Sequence, residues 1–197
     1  LIYPFILIGF GYEAVRYLKP IFVTPDRVLG CRLRDWEAAL FGVGPDTTLA
    51  DVFARHHAGL FDVLLALPYG LQIYGIFVYS IYLYFADRER LRWFLWALAI
   101  AHLIAFAAWL VIPAAPPWYI RAYGCAIDTA VAPHPAALLR VDQMFGVNYF
   151  AEFYARGSTA FGAFPSMHCA IPMVGLLTAW RAATWRTLPV HISYVLA

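Results

Sequence analysis

A serine and a histidine stand at the start of an apolar run in the stretch FGAFPSMHCA, residues 161–170. Ser166 is a residue type that favours the N-cap position, so His168 would lie in the first turn of a helix. Unpaired N–H groups and the positive end of the helix dipole gather at such a start, which suits an anionic phosphate. Pro172 cannot donate to the His168 carbonyl and is expected to bend the helix. The pattern predicts a phosphate site, with a plain capped helix as the alternative.

Three arginines are candidate phosphate ligands, because the guanidinium group offers a planar fork to phosphate oxygens. Arg140 lies on a predicted short outer helix, and its alternative is an ordinary solvated pair with Asp142. Arg156 precedes the serine by ten residues, and Arg121 follows a Trp-Tyr pair.

Trp118 and Tyr119 end the segment AAPPWY, whose two prolines restrict the backbone and exclude a helix. The two aromatic side chains would line a headgroup pocket or, equally, anchor the chain at a membrane interface.

The composition is that of an integral membrane protein. Of 197 residues, 63% are hydrophobic and 13% are charged, against about 25% charged in soluble domains. The mean hydropathy is +0.67, and fifteen Phe, thirteen Tyr and seven Trp suit aromatic belts at the two interfaces. A net charge of +2 without a basic cluster argues against a nucleic-acid partner.

We predict an all-α fold, a polytopic transmembrane helical bundle that forms a single domain over residues 1–197. Five spans are expected here and six in the complete protein, because both ends look cut from a longer chain. The spans are placed at about 1–18, 59–86 with a break near Pro68–Gly70, 93–112, 163–180, and from about Thr187 onward.

The two long connections are expected on the outer side of the membrane. The segments 87–92 and 181–186 carry three and two arginines, so they should face the cytoplasm. The 113–162 connection then lies outside and caps the outer end of the fourth span, which we expect to pack at the centre of the bundle. The 19–58 connection would also lie outside, although its five cations count against this. Within it, Leu29, Leu33, Trp36 and Leu40 recur at helical spacing, which predicts a helix on the membrane surface.

Several polar residues remain as weaker candidates. His56 and His57 could approach the site but are expected to be solvated. His102, inside the third span, is expected to hydrogen-bond another helix, and Asp62 and Gln72 should face protein rather than lipid.

The three cysteines and the histidines do not form a metal-ligand pattern. A disulfide between Cys31 and Cys125 is one option if both lie outside. We expect no metal and no cofactor.

The stretch FGAFPSMHCA resembles the Pro-Ser-x-His motif of the type 2 phosphatidic acid phosphatase superfamily. In particular, it resembles the branch that contains fungal inositol phosphorylceramide synthase, the target of aureobasidin. Three upstream segments are similar to that branch in the same order: FARHHAGLFDVLLALPY (53–69), PAAPPWY (113–119) and LLRVDQMFG (138–146). The resemblance covers about residues 30–180.

This resemblance implies that a histidine, held by an aspartate in a His-x-x-x-Asp motif, attacks phosphorus. It implies that His168 protonates the leaving oxygen and that Ser166, with the backbone after it, contacts phosphate. His191 is the only histidine after His168, and Val195 stands four residues beyond it. His191 is also expected near the cytoplasmic side, so we expect the nucleophile beyond Ala197.

The expected function is that of a membrane lipid phosphotransferase. It would move a phosphorylated, inositol phosphate-like headgroup from a phospholipid to a lipid hydroxyl such as ceramide, at the outer (periplasmic or lumenal) face. The alternatives are a lipid phosphate phosphatase on the same scaffold and a non-catalytic lipid-binding membrane subunit. The sequence leaves the oligomeric state open.

Overall fold

The computed structural model describes residues 2–44 and 47–180, which are helical apart from connecting segments and contain no β-strand. A 3₁₀ turn, Ala136–Leu138, precedes the seventh helix. The α-helices of this part of the chain are α1 (Tyr3–Phe22), α2 (Cys31–Phe41), α3 (Leu49–Arg55), α4 (Gly59–Ala86), α5 (Arg88–Val111), α6 (Pro117–Tyr123), α7 (Leu139–Phe145), α8 (Tyr149–Ala155) and α9 (Met167–Ala179).

Helices α4 and α5 are long and apolar enough to cross a membrane. They have 28 and 24 residues, and at about 1.5 Å per residue each exceeds the roughly 30 Å of a bilayer core. Only 17% and 33% of their most apolar windows are buried inside the protein. A core helix of a soluble protein would be mostly buried, so this exposure favours membrane association. The predicted fifth span lies outside the described residues, and the count of five stays a prediction.

Helix α5 occupies the centre of the described bundle and packs against α1, α4 and α9. We expected the fourth span, α9, in that place, and this expectation is wrong for the described residues. The partly buried Phe5 and Ile8 of α1 pack against the same core. The buried core residues of α4, α5 and α9 are Leu83, Leu91, Phe94, Leu95, Leu98, Ala105, Met167 and Ile171.

The contacts at the two ends of α5 show that α9 runs antiparallel to it. Near the Val111 end, Trp109 Nε1 donates to the Pro165 carbonyl at 3.1 Å, just before α9 begins. Near the Arg88 end, Arg90 and Thr178 line one hollow, close to where α9 ends. His168 therefore lies at the end of the bundle away from Arg88 and Arg90, as the topology argument expects.

Several helices differ from the predictions. α1 ends at Phe22, four residues past the predicted end, and α9 begins at Met167, four residues after the predicted start. α4 continues without a break through Pro68, as proline is tolerated in apolar helices whose neighbours satisfy the freed groups. α5 begins five residues early, because the side chain of Asp87 accepts from the Arg90 N–H at 2.9 Å and caps it. α6 begins at Pro117, inside AAPPWY, where we expected no helix; proline lacks only an N–H that the first helical position leaves unpaired.

Cys31 and Cys125 form a disulfide that joins the start of α2 to the segment after α6, 94 residues apart in sequence. The bond brings the 19–58 and 113–162 connections to the same side of the bundle. Disulfides persist in oxidising compartments outside the cytosol. The covalent link therefore favours an outer position for both connections, despite the five cations of the first.

Three extended segments lie side by side between these connections. Leu29 N–H donates to the Pro113 carbonyl at 2.7 Å, and Ala115 N–H donates back to Leu29 at 3.0 Å. On the other edge, Ala114 N–H donates to the Phe161 carbonyl at 2.8 Å. These bonds fix the chain a few residues before the Pro-Ser-x-His motif and so position its approach to α9.

Candidate functional site

Ser166 and His168 lie where the sequence places them, at the N-cap and in the first turn of α9. The Ser166 backbone is extended and its carbonyl accepts from the Ala170 N–H at 3.0 Å, which starts the helix. Its side chain makes no capping hydrogen bond. The N-cap position is confirmed, whereas the expected capping bond is absent, which leaves the hydroxyl to other partners.

The imidazole of His168 stacks on the ring of Tyr69 from α4. The ring centroids are 3.8 Å apart and the planes differ by 10°. The Tyr69 hydroxyl forms a hydrogen bond with the hydroxyl of Tyr154 from α8. Burial raises the pKa of Tyr154, so this phenol stays protonated at neutral pH. Three helices thus meet at His168 and fix the plane of its ring.

The backbone of His168 is held by Gln72, which is 4% exposed. The amide nitrogen Nε2 donates to the His168 carbonyl at 2.9 Å and lies 3.4 Å from that of Met167. Pro172 has no N–H to give to the His168 carbonyl, and Gln72 supplies the missing donor from α4. The prediction that Gln72 faces protein is confirmed.

Asp62, Ala66, Tyr69 and Gln72 form one stripe along α4. Their spacing of four, three and three residues places them on a single helix face. Ala66 is buried, while the three polar members contact α7, α8 and α9. This face of α4 therefore directs three polar groups to the elements around His168.

Arg140 forms a bidentate ion pair with Asp62. Its Nε and Nη2 atoms donate to the two carboxylate oxygens at 2.8 and 2.5 Å. The hydrogen bond with Asp62 raises the pKa of Arg140, and His57 Nδ1 lies 3.9 Å from the same carboxylate. Asp62 precedes Tyr69 by seven residues, about 10 Å along the helix. Most of the Arg140 charge is compensated, and its role toward phosphate stays a prediction.

Asp142 is not the partner of Arg140, so the solvated-pair alternative is wrong. Asp142 is 2% exposed. Its carboxylate accepts from the N–H groups of Phe150 and Ala151 at 3.1 and 2.9 Å. It therefore binds the first turn of α8, the helix that carries the tyrosine partner of Tyr69.

Arg156 follows α8 and is exposed. Its carbonyl accepts from the Tyr12 hydroxyl at 3.3 Å and from Arg16 Nη2 at 2.9 Å, which ties α8 to α1. Its guanidinium group as a phosphate ligand remains a prediction.

Arg121, Trp118 and Tyr119 lie on α6. Arg121 Nη1 is 3.6 Å from an oxygen of Asp51 and donates to the Ala50 carbonyl at 3.3 Å. The half-buried Trp118 packs on the ring of Tyr119. Tyr119 is wholly buried, and its hydroxyl donates to the Ala126 carbonyl at 3.1 Å. The geometry gives Tyr119 a place in the core, while binding roles for the other two stay predictions.

His102 bonds to its own helix rather than to another one. Its Nδ1 lies 2.7 Å from the Leu98 carbonyl one turn earlier, and the expected interhelical bond is not formed with any of the described residues. Within the described residues no group of three or more His, Cys, Asp and Glu has an arrangement that would hold a metal ion. His191, which we expect near the cytoplasmic side, lies outside the described residues.

Tyr69 and Tyr154 were not identified as site residues from the sequence. Tyr69 ends the segment FARHHAGLFDVLLALPY and precedes Gln72 by three residues, so helical spacing was a usable signal. Tyr154 has no such signal in the sequence, because its partner Tyr69 lies 85 residues earlier.

Comparison with known proteins places this arrangement in context. Residues 32–197 match the family model described as PAP2 superfamily. The chain is 35% identical to phosphoinositol dihydroceramide synthase of Bacteroides thetaiotaomicron, over 89% of this chain and 58% of that protein. It is 32% identical to inositol phosphorylceramide synthase of Candida albicans, over 73% of this chain and 31% of that protein. It is 30% identical to the inositol phosphorylceramide synthase catalytic subunit aur1 of Schizosaccharomyces pombe, over 66% of this chain and 32% of that protein.

The chain thus spans from about a third to three fifths of the length of these relatives. No solved structure gives a significant match.

Proposed function

The chain belongs to the PAP2 superfamily, and from this membership and the surroundings of His168 we propose that it is a membrane lipid phosphotransferase. It moves a phosphorylated headgroup from a phospholipid to a lipid hydroxyl. The names of its relatives suggest an inositol phosphate headgroup and a ceramide or dihydroceramide acceptor. These two substrates are part of the proposal.

His168 acts first as an acid and then as a base in this proposal. The bond between phosphorus and the diacylglycerol oxygen breaks, and His168 gives that oxygen its proton. The bond between phosphorus and the acceptor oxygen then forms, and the neutral imidazole takes the proton of the acceptor hydroxyl. Imidazole is the side chain that most often serves as general acid and general base in enzymes, which suits both steps. The nucleophile between them is proposed to be a second histidine, paired with aspartate as the resemblance implies. It forms a bond to phosphorus as the first bond breaks and releases phosphorus as the second bond forms.

The observation that carries the proposal is the fixed position of His168 at the start of α9. Stacking on Tyr69 at 3.8 Å sets its plane, and the Gln72 hydrogen bond at 2.9 Å sets its backbone. Side chains held in this way suit proton transfer, since misplacement by about 1 Å can cost a hundredfold in rate. Ser166 and the unpaired N–H groups of the first turn are the proposed phosphate contacts. Arg140 and Arg156 are further candidates, whereas the ion pair of Arg121 with Asp51 favours a neutral ligand at Arg121.

The active site is proposed to face the periplasm or the lumen. The Cys31–Cys125 bond supports this, because it belongs to the same side of the bundle as the approach to Ser166. The three arginines at the start of α5 lie at the other end, in agreement with the positive-inside rule.

The test is an assay of the full-length protein in phospholipid vesicles with inositol-labelled phosphatidylinositol and ceramide. We expect the label to appear in a lipid product, inositol phosphorylceramide. Release of inositol phosphate into water, with no labelled sphingolipid, would contradict the transferase and favour a phosphatase-like reaction in which water is the acceptor. Matched vesicles without ceramide measure that background.

A further inference from the structure

A cavity of about 640 Å³ lies between α2, α3 and α6. Small-ligand pockets usually measure about 300–1,000 Å³. Ala163 and Phe164, directly before the Pro-Ser-x-His motif, form part of the wall. Phe164 precedes His168 by four residues, so their Cα atoms are at most about 14 Å apart. This α2–α6 cavity therefore borders the segment that carries the proposed catalytic histidine.

The polar end of the α2–α6 cavity combines opposite charges. Arg34 and Arg121 line it together with Glu37 and Asp51, so two positive charges face two negative ones. Both guanidinium groups lie 3.6 Å from Asp51. Burial works to raise the pKa of Asp51, but hydrogen bonds from Thr48 and the two arginines outweigh it and lower the pKa. The carboxylate is ionised at neutral pH, and the cavity carries no net formal charge.

A neutral polar group suits this end of the cavity better than an anion. The arginines offer N–H donors, and the carboxylates offer acceptors, so hydroxyl and amide groups find both kinds of partner. A phosphate would meet two carboxylates as well as two guanidinium groups, and the attraction would largely cancel.

The other wall of the cavity is apolar. Leu33, Trp36, Leu40 and Phe41 of α2 line it. Trp36 and Leu40 are 53% and 75% exposed, although burial of such side chains is favourable in water. A hydrocarbon chain that lies along α2 would cover them.

We propose that the α2–α6 cavity binds the acceptor of the reaction, a neutral lipid alcohol. Its polar head contacts Arg34, Asp51 and Arg121, and the start of its chain lies along Leu33 and Trp36. This inference rests on the proposed lipid transfer and deepens it, because a reaction with water as the acceptor would need no such site.

The test measures acceptor use by the full-length protein in vesicles with labelled phosphatidylinositol and varied ceramide. Leu33→Trp adds an indole to the cavity, and Trp36→Ala removes part of its apolar wall. We expect each change to raise the KM for ceramide about tenfold, and the KM for phosphatidylinositol to stay within about twofold. Ala39→Trp adds the same indole to α2 outside the cavity and should leave both values unchanged.

An unchanged KM for ceramide in both cavity variants, or a raised KM for phosphatidylinositol, would overturn the proposal. Binding of fluorescent ceramide to the full-length His168→Ala protein provides a second measurement that needs no turnover. Leu33→Trp and Trp36→Ala should each weaken this binding about tenfold. If ceramide binds equally well with and without these two substitutions, the cavity is not the acceptor site, but the proposed function stands. If the unaltered protein transfers no headgroup, the proposed function is wrong, whatever the binding measurement shows.

Discussion

The surroundings of His168 and the α2–α6 cavity border the two ends of one short segment, residues 163–168, yet different forces hold them. His168 is fixed by neutral groups inside the bundle, the ring of Tyr69 and the amide of Gln72. The cavity has charged side chains at one end and an apolar wall, and the Cys31–Cys125 bond forms part of its lining. The first region depends on packing between long helices, whereas the second depends on ion pairs and a covalent link.

This difference matches what each region is proposed to do. A proton donor must keep its ring in one place, and the contacts with Tyr69 and Gln72 of α4 achieve that. A lipid site must admit its ligand from the membrane surface, so part of its wall has to stay exposed. The disulfide lets short helices such as α6 keep their position without a large core of their own. Changes in the two regions should therefore affect different steps.

The largest expected effect is that of His168→Ala in the full-length protein. Turnover should fall by about 10²–10⁴-fold, the usual contribution of a general acid, while folding and substrate binding stay intact. His168→Gln keeps a hydrogen-bonding group but cannot move the proton, and it should be nearly as inactive. Initial rates at matched expression measure this, with the exposed His56→Ala as the control. An active His168→Ala protein would contradict the mechanism, as would a folded but inactive His191→Ala protein.

Removal of the disulfide tests the other region. In the double variant Cys31→Ser with Cys125→Ser, stability should fall by about 2–4 kcal/mol, the usual effect of losing a bond that closes a long loop. Ceramide use should decline more than cleavage of the donor lipid. Thermal unfolding in detergent and the vesicle assay measure the two effects. Cys169→Ser, which removes an exposed free thiol, is the control; a loss of donor cleavage equal to the loss of transfer would remove the distinction between the regions.

Much of the fold could be predicted from the sequence where a pattern repeats locally. The predicted second span, 59–86, coincides with α4. The helix predicted around Leu33, Trp36 and Leu40 is α2, but Leu29 lies outside it, in an extended segment. The place of α2 on the membrane surface stays a prediction. The positions of helix ends and the packing between helices were harder to predict. The start of α6 depends on where proline sits relative to the first helical residue, and the central place of α5 depends on packing that no single segment encodes.

The candidate site divides in the same way. Ser166 and His168 could be assigned because their motif is contiguous and precedes an apolar run. The residues around His168 could not be assigned. Tyr69 stacks on its ring, and Tyr154 bonds to Tyr69 from 85 residues further along the chain. Arg140 was identified by its charge alone, but its pairing with Asp62 required the fold to bring together residues 78 apart.

Tyr69→Leu should have a smaller effect than the histidine variants. It removes the aromatic ring from under His168, and we expect kcat to fall about 10–100-fold with little change in KM for the donor, because positioning matters mainly in the transition state. Tyr69→Phe keeps the stack and should retain most activity. Tyr154→Phe removes the same hydrogen bond by taking away the other hydroxyl, and it should retain as much activity as Tyr69→Phe. A Tyr69→Leu protein with normal kcat would show that the stack does not position His168.

The smallest expected effect, and the most specific, is that of Gln72→Leu. It leaves the His168 carbonyl without its donor, which should cost about 1 kcal/mol of stability, the usual net contribution of an intramolecular hydrogen bond. The exposed Gln143→Leu is the matched control. Pro172→Ala should reverse part of the loss, since alanine at that position has an N–H that can donate to the same carbonyl within α9. The two changes together should therefore be less harmful than the sum of their separate effects. Additive losses in thermal unfolding would mean that Gln72 does not replace the donor that Pro172 lacks.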